Sequence, residues 1–102
     1  MADMIKVIIK NPEDEIGQMV YIENTLRDFQ KAVTGYVEYL NLASDLVILF
    51  DEEGRLKHRP FNCEILGVNF VGPIVAVGIN DDEFADVPIS LEDWQGILKG
   101  GF

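Results

Sequence analysis

Alternation of apolar and polar residues opens the chain. In the segment Met4–Lys10, the apolar residues Ile5, Val7 and Ile9 alternate with the two lysines of the segment. This period of two predicts a β-strand with one buried side. Comparable apolar segments predict further strands at residues 19–22, 36–42, 45–51 and 74–79.

A helical period replaces the alternation after residue 24. Thr25 and Asp28 have the spacing of a capping box, and Asn24 is an alternative N-cap. Gly35 is expected to end this helix in the left-handed conformation. The predicted apolar stripe consists of Leu26, Phe29 and Val33.

A second helix is predicted near the end of the sequence. Ser90 and Asp93 again have the capping spacing, and Gly100 and Gly101 follow the last helical turn. Because this diglycine comes directly after a helix, we interpret it as helix termination and not as a ubiquitin-like conjugation tail. The predicted apolar stripe consists of Leu91, Trp94 and Leu98.

The middle of the chain carries its most hydrophobic segment. Residues 46–50 are apolar at every position, which predicts a central strand buried on both faces. Residues 51–54 are expected to form a hairpin turn with Gly54 at positive φ, and residues 55–58 a polar edge strand that returns from it. After Pro60, a loop through Asn62 and Gly67 is expected to lead to the strand at 74–79, and an acidic loop is expected over 80–88.

These elements predict one α+β domain over residues 1–102, in the order β-β-α-β-β-(β)-β-α. The expected architecture is a mixed or antiparallel sheet of about five to six strands with two helices. Helices on one face of the sheet are the simplest packing.

Charge changes the functional expectations. Eighteen acidic residues against eight basic ones give a formal net charge of −10. Such a surface repels nucleic-acid phosphates, so direct binding to DNA or RNA is not expected. It can serve solubility alone, or it can imitate DNA in the basic site of another protein. The single cysteine and the short apolar runs favour a cytosolic protein without a membrane span.

Candidate chemistry is sparse. His58 and Cys63 are the only His and Cys, and as a pair they could act as a nucleophile and its base. No third orienting group can be named, so we expect no catalytic residues and no enzyme. Residues 80–86 are rich in oxygen ligands but lack the order of a calcium loop. We therefore predict no metal and no cofactor.

Three of the eight basic residues fall within residues 55–59. In an extended strand, Arg55, Lys57 and Arg59 would project from one face. Together with Asn62 they could bind a small anionic ligand. Two alternatives are that they protect a sheet edge, or that they neutralise the carboxylates of Asp51, Glu52 and Glu53.

Several short motifs occur in an order that resembles a known family. They are IKVIIK, IENTL, VTGYVE, LFDEEG, the pair Pro60 and Asn62, GPIVAVG, and Ser90–Leu91. The chain resembles a family of small phage and mobile-element proteins catalogued as domain of unknown function thirty-eight forty-six. It departs from the family pattern where Cys63 follows Asn62 in place of an arginine, and in a longer stretch at 64–71. The resemblance implies a phage or mobile-element origin, and it does not indicate any particular activity.

We therefore expect a non-catalytic interaction domain that binds a host or phage protein through an acidic surface. Its most accessible acidic residues are predicted in two segments. They are Asp51, Glu52 and Glu53 in the hairpin, and Asp81, Asp82, Glu83 and Asp86 in the acidic loop.

Overall fold

Eight strands and two helices make up residues 3–100, the part of the chain that the computed structural model describes. The predicted α+β class and the broad order of elements are confirmed. The elements are β1 Met4–Lys10, β2 Gln18–Glu23, α1 Leu26–Val33, β3 Val37–Ala43, β4 Leu46–Asp51, β5 Phe61–Ile65, β6 Val68–Val71, β7 Ile74–Asn80, β8 Glu83–Ala85 and α2 Leu91–Leu98.

Six of the strands form one antiparallel sheet in the order β2-β1-β7-β4-β3, with β8 paired to β7. β1 pairs with the first half of β7, at Ile74–Ala76, and β8 pairs with its second half, at Gly78–Asn80. β1 and β8 therefore lie end to end along the same side of β7. β5 and β6 form a separate two-stranded sheet.

Both faces of the large sheet are covered. α1 packs on one face, and α2 together with the β5–β6 sheet packs on the other. The expectation that both helices share one face is wrong, because β4 and β7 carry apolar residues at successive positions and each face needs its own cover. The α1 side buries Ile5, Val7, Phe29, Val33, Val47, Leu49, Val75 and Val77. The α2 side buries Ile8, Ile48, Ile65, Phe70, Ile74, Ala76, Trp94 and Ile97, among others.

The same arrangement corrects the prediction of a one-sided first strand. β1 lies inside the sheet between β2 and β7, so its polar-looking face is also covered. Ile8 is fully buried and Lys10 is 4% exposed. For β4, burial on both faces is confirmed.

Thr25 is the N-cap of α1 as predicted, but the Asp28 carboxylate accepts the Glu23 N–H in place of the Thr25 N–H that a capping box requires, and the end of the helix also differs from the prediction. The Thr25 hydroxyl accepts a hydrogen bond from the Asp28 backbone N–H at 3.2 Å. Leu26 of the predicted stripe is exposed. Thr34, and not Gly35, takes the left-handed conformation, with φ 58°. Gly35 is needed for another reason, since a Cβ there would collide with the Asp51 carboxylate.

In α2 the capping box of Ser90 and Asp93 is confirmed. Trp94 is fully buried as predicted, and its indole N–H donates to the carbonyl of Ile16 at 2.9 Å. The stripe is shifted toward Ile97, which is buried, while Leu91 is exposed.

The predicted return strand at residues 55–58 is wrong. Residues 52–60, hereafter the basic loop, form successive turns between β4 and β5. The N–H of Lys57 donates to the carbonyl of Glu53, and the N–H of Arg59 donates to that of Gly54. His58 adopts a positive φ of 56°, whereas Gly54 does not. A loop folded on itself satisfies its polar backbone without a strand partner.

The two predicted long loops contain strands. Residues 61–71 form the β5–β6 hairpin, whose tip has positive φ at Leu66 and Gly67, as a type I′ turn requires. Within the acidic loop, β8 folds back onto β7. Gly78 permits this return because a Cβ there would collide with the carbonyl of Asp86.

Candidate functional site

Asp51, whose carboxylate is buried, is the centre of an ion-pair cluster at the end of β4 with partly exposed basic partners. Its carboxylate accepts hydrogen bonds from the Lys57 ammonium at 2.9 Å, from Arg59 Nε at 3.0 Å and from the Glu53 N–H at 3.0 Å. Arg59 also donates to the carbonyl of Thr34. The cluster therefore ties the end of α1 and the basic loop to the sheet.

Burial and hydrogen bonding act in opposite directions on Asp51. Burial alone would raise the pKa of this carboxyl group. Hydrogen bonds from Lys57, the Glu53 backbone and Arg59 outweigh burial and lower the pKa below its ordinary value of 3.8. Asp51 is consequently ionised at neutral pH.

The basic side chains of the loop do not share one face as a strand would have placed them. Lys57 and Arg59 bond to Asp51, and the Arg55 guanidinium donates to the carbonyl of Asn69 at 2.9 Å. Two of the three thus neutralise Asp51, which was one of the alternatives drawn from the sequence.

Asn62 forms a second buried polar cluster with Lys10, a residue that was not singled out in the sequence. The Asn62 amide group donates to the carbonyls of Lys10 and Gly72 at 2.9 and 2.8 Å. Its oxygen accepts a hydrogen bond from the Lys10 ammonium at 2.7 Å. Both N–H donors of this amide are occupied within the fold. Asn62 therefore connects β1, β5 and the turn between β6 and β7, and it is not directed at a ligand.

Cys63 and His58 occupy different environments. His58 lies exposed in the basic loop, while Cys63 is half-buried on β5. Burial raises the pKa of the Cys63 thiol, and the nearby positive charge of Lys10 only partly offsets this effect. A raised pKa keeps the thiol protonated and weakens it as a nucleophile.

The two acidic segments predicted as binding faces lie at opposite ends of the sheet. β4 and β7 are antiparallel, with Leu46 opposite Gly78 and Leu49 opposite Val75, so residues 51–53 and 81–83 point away from each other. The expectation that Asp51 is accessible is wrong, because it is 3% exposed. The other residues of the prediction are Glu52, exposed; Glu53, half-buried; and Asp81, Asp82, Glu83 and Asp86, all exposed.

Acidic residues from several elements meet at the end of the sheet where β7 stops. Asp3, Asp82 and Glu83 line one hollow there. The Asn24 amide donates to the carbonyl of Phe84, which fixes the end of β2 against β8. We call this surface the acidic end; its exposed carboxylates are those of Asp3, Glu23, Asp45, Asp81, Asp82 and Glu83.

None of these six carboxylates takes part in an ion pair within residues 3–100, where the two ion pairs present both involve Asp51. In the same part of the chain, no three His, Cys, Asp or Glu side chains are arranged to hold a metal ion. The acidic end therefore presents its charge to solvent.

β3 forms one edge of the large sheet. The backbone carbonyl of Tyr36 accepts a hydrogen bond from the Glu52 N–H at 2.8 Å. In this register every second residue of the strand, here Glu38 and Leu40, directs its backbone groups toward β4. The N–H and C=O groups of the residues between them point outward. These outward residues are Val37, Tyr39 and Asn41.

A groove of about 240 Å³ adjoins this edge. Its floor is apolar, and Glu52 and Arg55 lie among the residues that line it. Phe50 of β4 and Glu52 of the basic loop, both in the groove, lie opposite Glu38 and Tyr36. The apolar residues that line it are Phe50, Leu56, Val68, Phe70 and Val71.

Comparisons with known proteins give a family and no activity. No helix within residues 3–100 is long and apolar enough to cross a membrane. The chain matches none of the curated proteins and none of the solved structures. The model of one family matches residues 5–99, nearly the whole sequence. The chain therefore belongs to the family described as Domain of unknown function (DUF3846).

Proposed function

We propose that this protein is a non-catalytic interaction module that binds a basic surface of a partner protein through the acidic end. The observation that carries the proposal is the convergence of six exposed carboxylates from β2, β8 and the neighbouring turns. Each exposed charge contributes little alone, but a field of one sign accelerates association with an oppositely charged partner.

The internal use of basic residues strengthens this field. Lys10 is buried, and Lys57 and Arg59 are bonded to Asp51. Of the eighteen acidic residues, all of them within residues 3–100, Asp51 is the one that is buried. Several basic side chains thus make contacts within the fold, while all acidic side chains except Asp51 remain at least partly exposed.

The family resemblance suggests a host or phage protein as the partner. A DNA-binding protein is a special case in which the acidic end imitates the phosphate backbone. Duplex DNA would then compete with this protein for the partner. The alternative of a small anionic ligand at the basic loop has less support, because Lys57, Arg59 and Asn62 already bond within the fold.

The test compares two triple variants with equal changes in net charge. The first, Asp81→Asn/Asp82→Asn/Glu83→Gln, neutralises the acidic end; asparagine tolerates the positive φ of 58° at position 81. The second, Glu13→Gln/Glu15→Gln/Glu64→Gln, neutralises three exposed acids elsewhere. Both variants should retain the wild-type melting temperature, since exposed carboxylates contribute little to stability.

The measurement is quantitative cross-linking and capture from host-cell lysate with wild type and both variants. We expect a basic protein that wild type and the second variant retain and the first variant loses. Equal retention by all three proteins would contradict a role for the acidic end. Loss with both variants would show that only net charge matters.

A further inference from the structure

We propose that β3 is a strand-addition site, at which an extended, basic segment of a partner protein pairs with the edge of the large sheet. The inference rests on the proposed function, because it takes a basic partner as given and assigns where and how that partner is held. Main-chain hydrogen bonds to a sheet edge supply affinity, and alternate side chains supply specificity.

The backbone of β3 offers the groups that strand addition needs. Val37, Tyr39 and Asn41 direct their N–H and C=O groups away from β4, as the hydrogen-bonding register requires. The pairing runs regularly up to the shift between Asn41 and Ala43. The straight part of the edge therefore presents three successive outward residues.

Little in the sequence of β3 protects this edge: Glu38 is its one charged residue, and the register shift between Asn41 and Ala43 comes only at its end. Exposed edges are usually blunted by lysine, proline or an early bulge. Residues 37–43 read VEYLNLA and contain no lysine, arginine or proline. The one contact to an outward group comes from a neighbouring residue, since the Tyr39 N–H donates to the Glu38 carboxylate at 3.2 Å. A pairing strand can displace this flexible side chain.

Two other exposed edges are occupied in part by side chains from elsewhere in the fold. On β2, the Glu23 N–H donates to the Asp28 carboxylate at 3.0 Å. On β6, the carbonyl of Asn69 accepts the Arg55 guanidinium. Both contacts tie a strand edge to an element that packs beside it. Outward residues remain on β2 as well, at Met19 and Tyr21, but β3 presents the longer run, with three.

Charge and exposed aromatic residues beside β3 indicate which kind of segment would pair with this edge. Glu38 and Glu52 lie beside the edge, and neither belongs to the two ion pairs of residues 3–100. Tyr36 and Tyr39 are 62% and 51% exposed, and tyrosine is enriched at protein interfaces. A second copy of this chain would bring another net charge of −10, so self-pairing is opposed by repulsion. Lysine or arginine on the added strand would be attracted where it faces Glu38 and Glu52, and repelled near Arg55 of the groove and Lys31 beside Tyr36.

The groove beside β3 adds a place for an apolar side chain. Phe50 and Glu52, which line the groove, pair with Glu38 and Tyr36 of the edge. An added strand of alternating basic and apolar residues would bring both kinds of side chain to this region. The occupant is therefore an amphipathic, positively charged strand.

The probe is a synthetic peptide in which lysine and valine alternate over about ten residues, long enough to span the edge. Its control replaces every valine with proline, which keeps the charge and prevents pairing as a strand. Both peptides are titrated into the ¹⁵N-labelled full chain at low and moderate salt. Hydrogen exchange of individual backbone amides is then measured with and without peptide.

We expect the lysine–valine peptide to slow exchange at the amides of Val37, Tyr39 and Asn41. The amides of Glu38 and Leu40 are already bonded to β4 and should change little. The proline peptide should bind about tenfold more weakly, as expected for the loss of a main-chain hydrogen bond or more.

A pair of variants isolates the backbone contribution. Tyr39→Pro removes an outward N–H without breaking a bond to β4, whereas Tyr39→Ala removes the same side chain and keeps the N–H. Tyr39→Pro should weaken peptide binding about tenfold relative to Tyr39→Ala. If Tyr39→Pro lowers the melting temperature strongly, Asn41→Pro and Asn41→Ala provide the same comparison at the next outward residue.

The outcomes separate the two proposals. Equal binding of both peptides, without protection of the three amides, overturns strand addition and leaves the acidic interaction module in place. Absence of binding by either peptide at low salt overturns both proposals. Protection at β2 amides in place of β3 amides also overturns the assignment to β3.

Discussion

The two ends of the large sheet use the same chemical group in opposite ways. At the end where β4 stops, the carboxylate of Asp51 is buried and receives three hydrogen bonds. At the acidic end, six carboxylates are exposed and take part in no ion pair within residues 3–100. The Asp51 carboxylate, which lies near positive charges, thus stabilises the fold at one end. The exposed carboxylates at the other end are available to a partner.

The difference follows from the cost of burying charge. An ionised carboxylate removed from water is stable only if donors replace its hydration. The basic loop supplies them, because its turns bring Lys57, Arg59 and the Glu53 N–H to one point. The acidic end has no such donors, and water solvates its charges. Variants at the two ends should therefore differ sharply in stability.

The largest expected effect is that of Asp51→Asn. The amide keeps the shape but loses the charge that Lys57 and Arg59 require, so we expect the free energy of unfolding to fall by about 2–4 kcal/mol. Urea denaturation followed by tryptophan fluorescence measures the change. Glu52→Gln, next to it but exposed, should stay within about 0.5 kcal/mol of wild type. Equal losses in both variants would break the comparison between buried and exposed carboxylates.

Asn62→Ala tests whether the second buried cluster at the same end is also structural. Alanine leaves the Lys10 ammonium buried without its 2.7 Å partner and the carbonyl of Gly72 without its donor. We expect a loss of about 1–3 kcal/mol in the free energy of unfolding. Asn69→Ala on the exposed face of β6 is the matched control. A neutral result for Asn62→Ala would mean that water replaces the lost amide.

The smallest effect appears in the pH dependence. Because the pKa of Asp51 is lower in the folded chain than its ordinary value of 3.8, the unfolded chain binds its proton first as pH falls. The stabilisation by ionised Asp51 is thus complete above the pKa of the unfolded chain, and it is lost as the pH falls through the lower pKa of the folded chain. The difference in melting temperature between wild type and Asp51→Asn should narrow below about pH 4. A constant difference across this range would show that ionisation of Asp51 is not what stabilises the fold.

Much of the fold could be predicted because local signals and tertiary packing agree. The capping residues Thr25 and Ser90 act as predicted, and the apolar run of β4 is central in the sheet. The predictions were wrong where a tertiary contact determines the local structure. Residues 55–58 look like an edge strand, but Asp51 draws Lys57 and Arg59 inward and folds the segment into turns.

The candidate surfaces were less predictable, because they depend on which strands are neighbours. The acidic residues 81–83 could be identified in the sequence, but not their meeting with Asp3 and Glu23. Lys10 looked like a solvent-facing residue of a one-sided strand. Only the position of β1 between β2 and β7 explains its burial. The open edge of β3 required the strand order as well.

The position of β7 has a consequence for how the chain acquires its structure. The β1–β2 and β3–β4 hairpins are synthesised first, yet each borders β7 and neither pairs with the other. Until residues 74–80 emerge from the ribosome, the two hairpins lack the strand that joins them. Because isolated hairpins are marginally stable in water, the sheet forms only after most of the domain has been translated. During that interval the face that α2 later covers lacks this helix, because α2 follows β7 in the chain, and a nascent chain is then most exposed to aggregation.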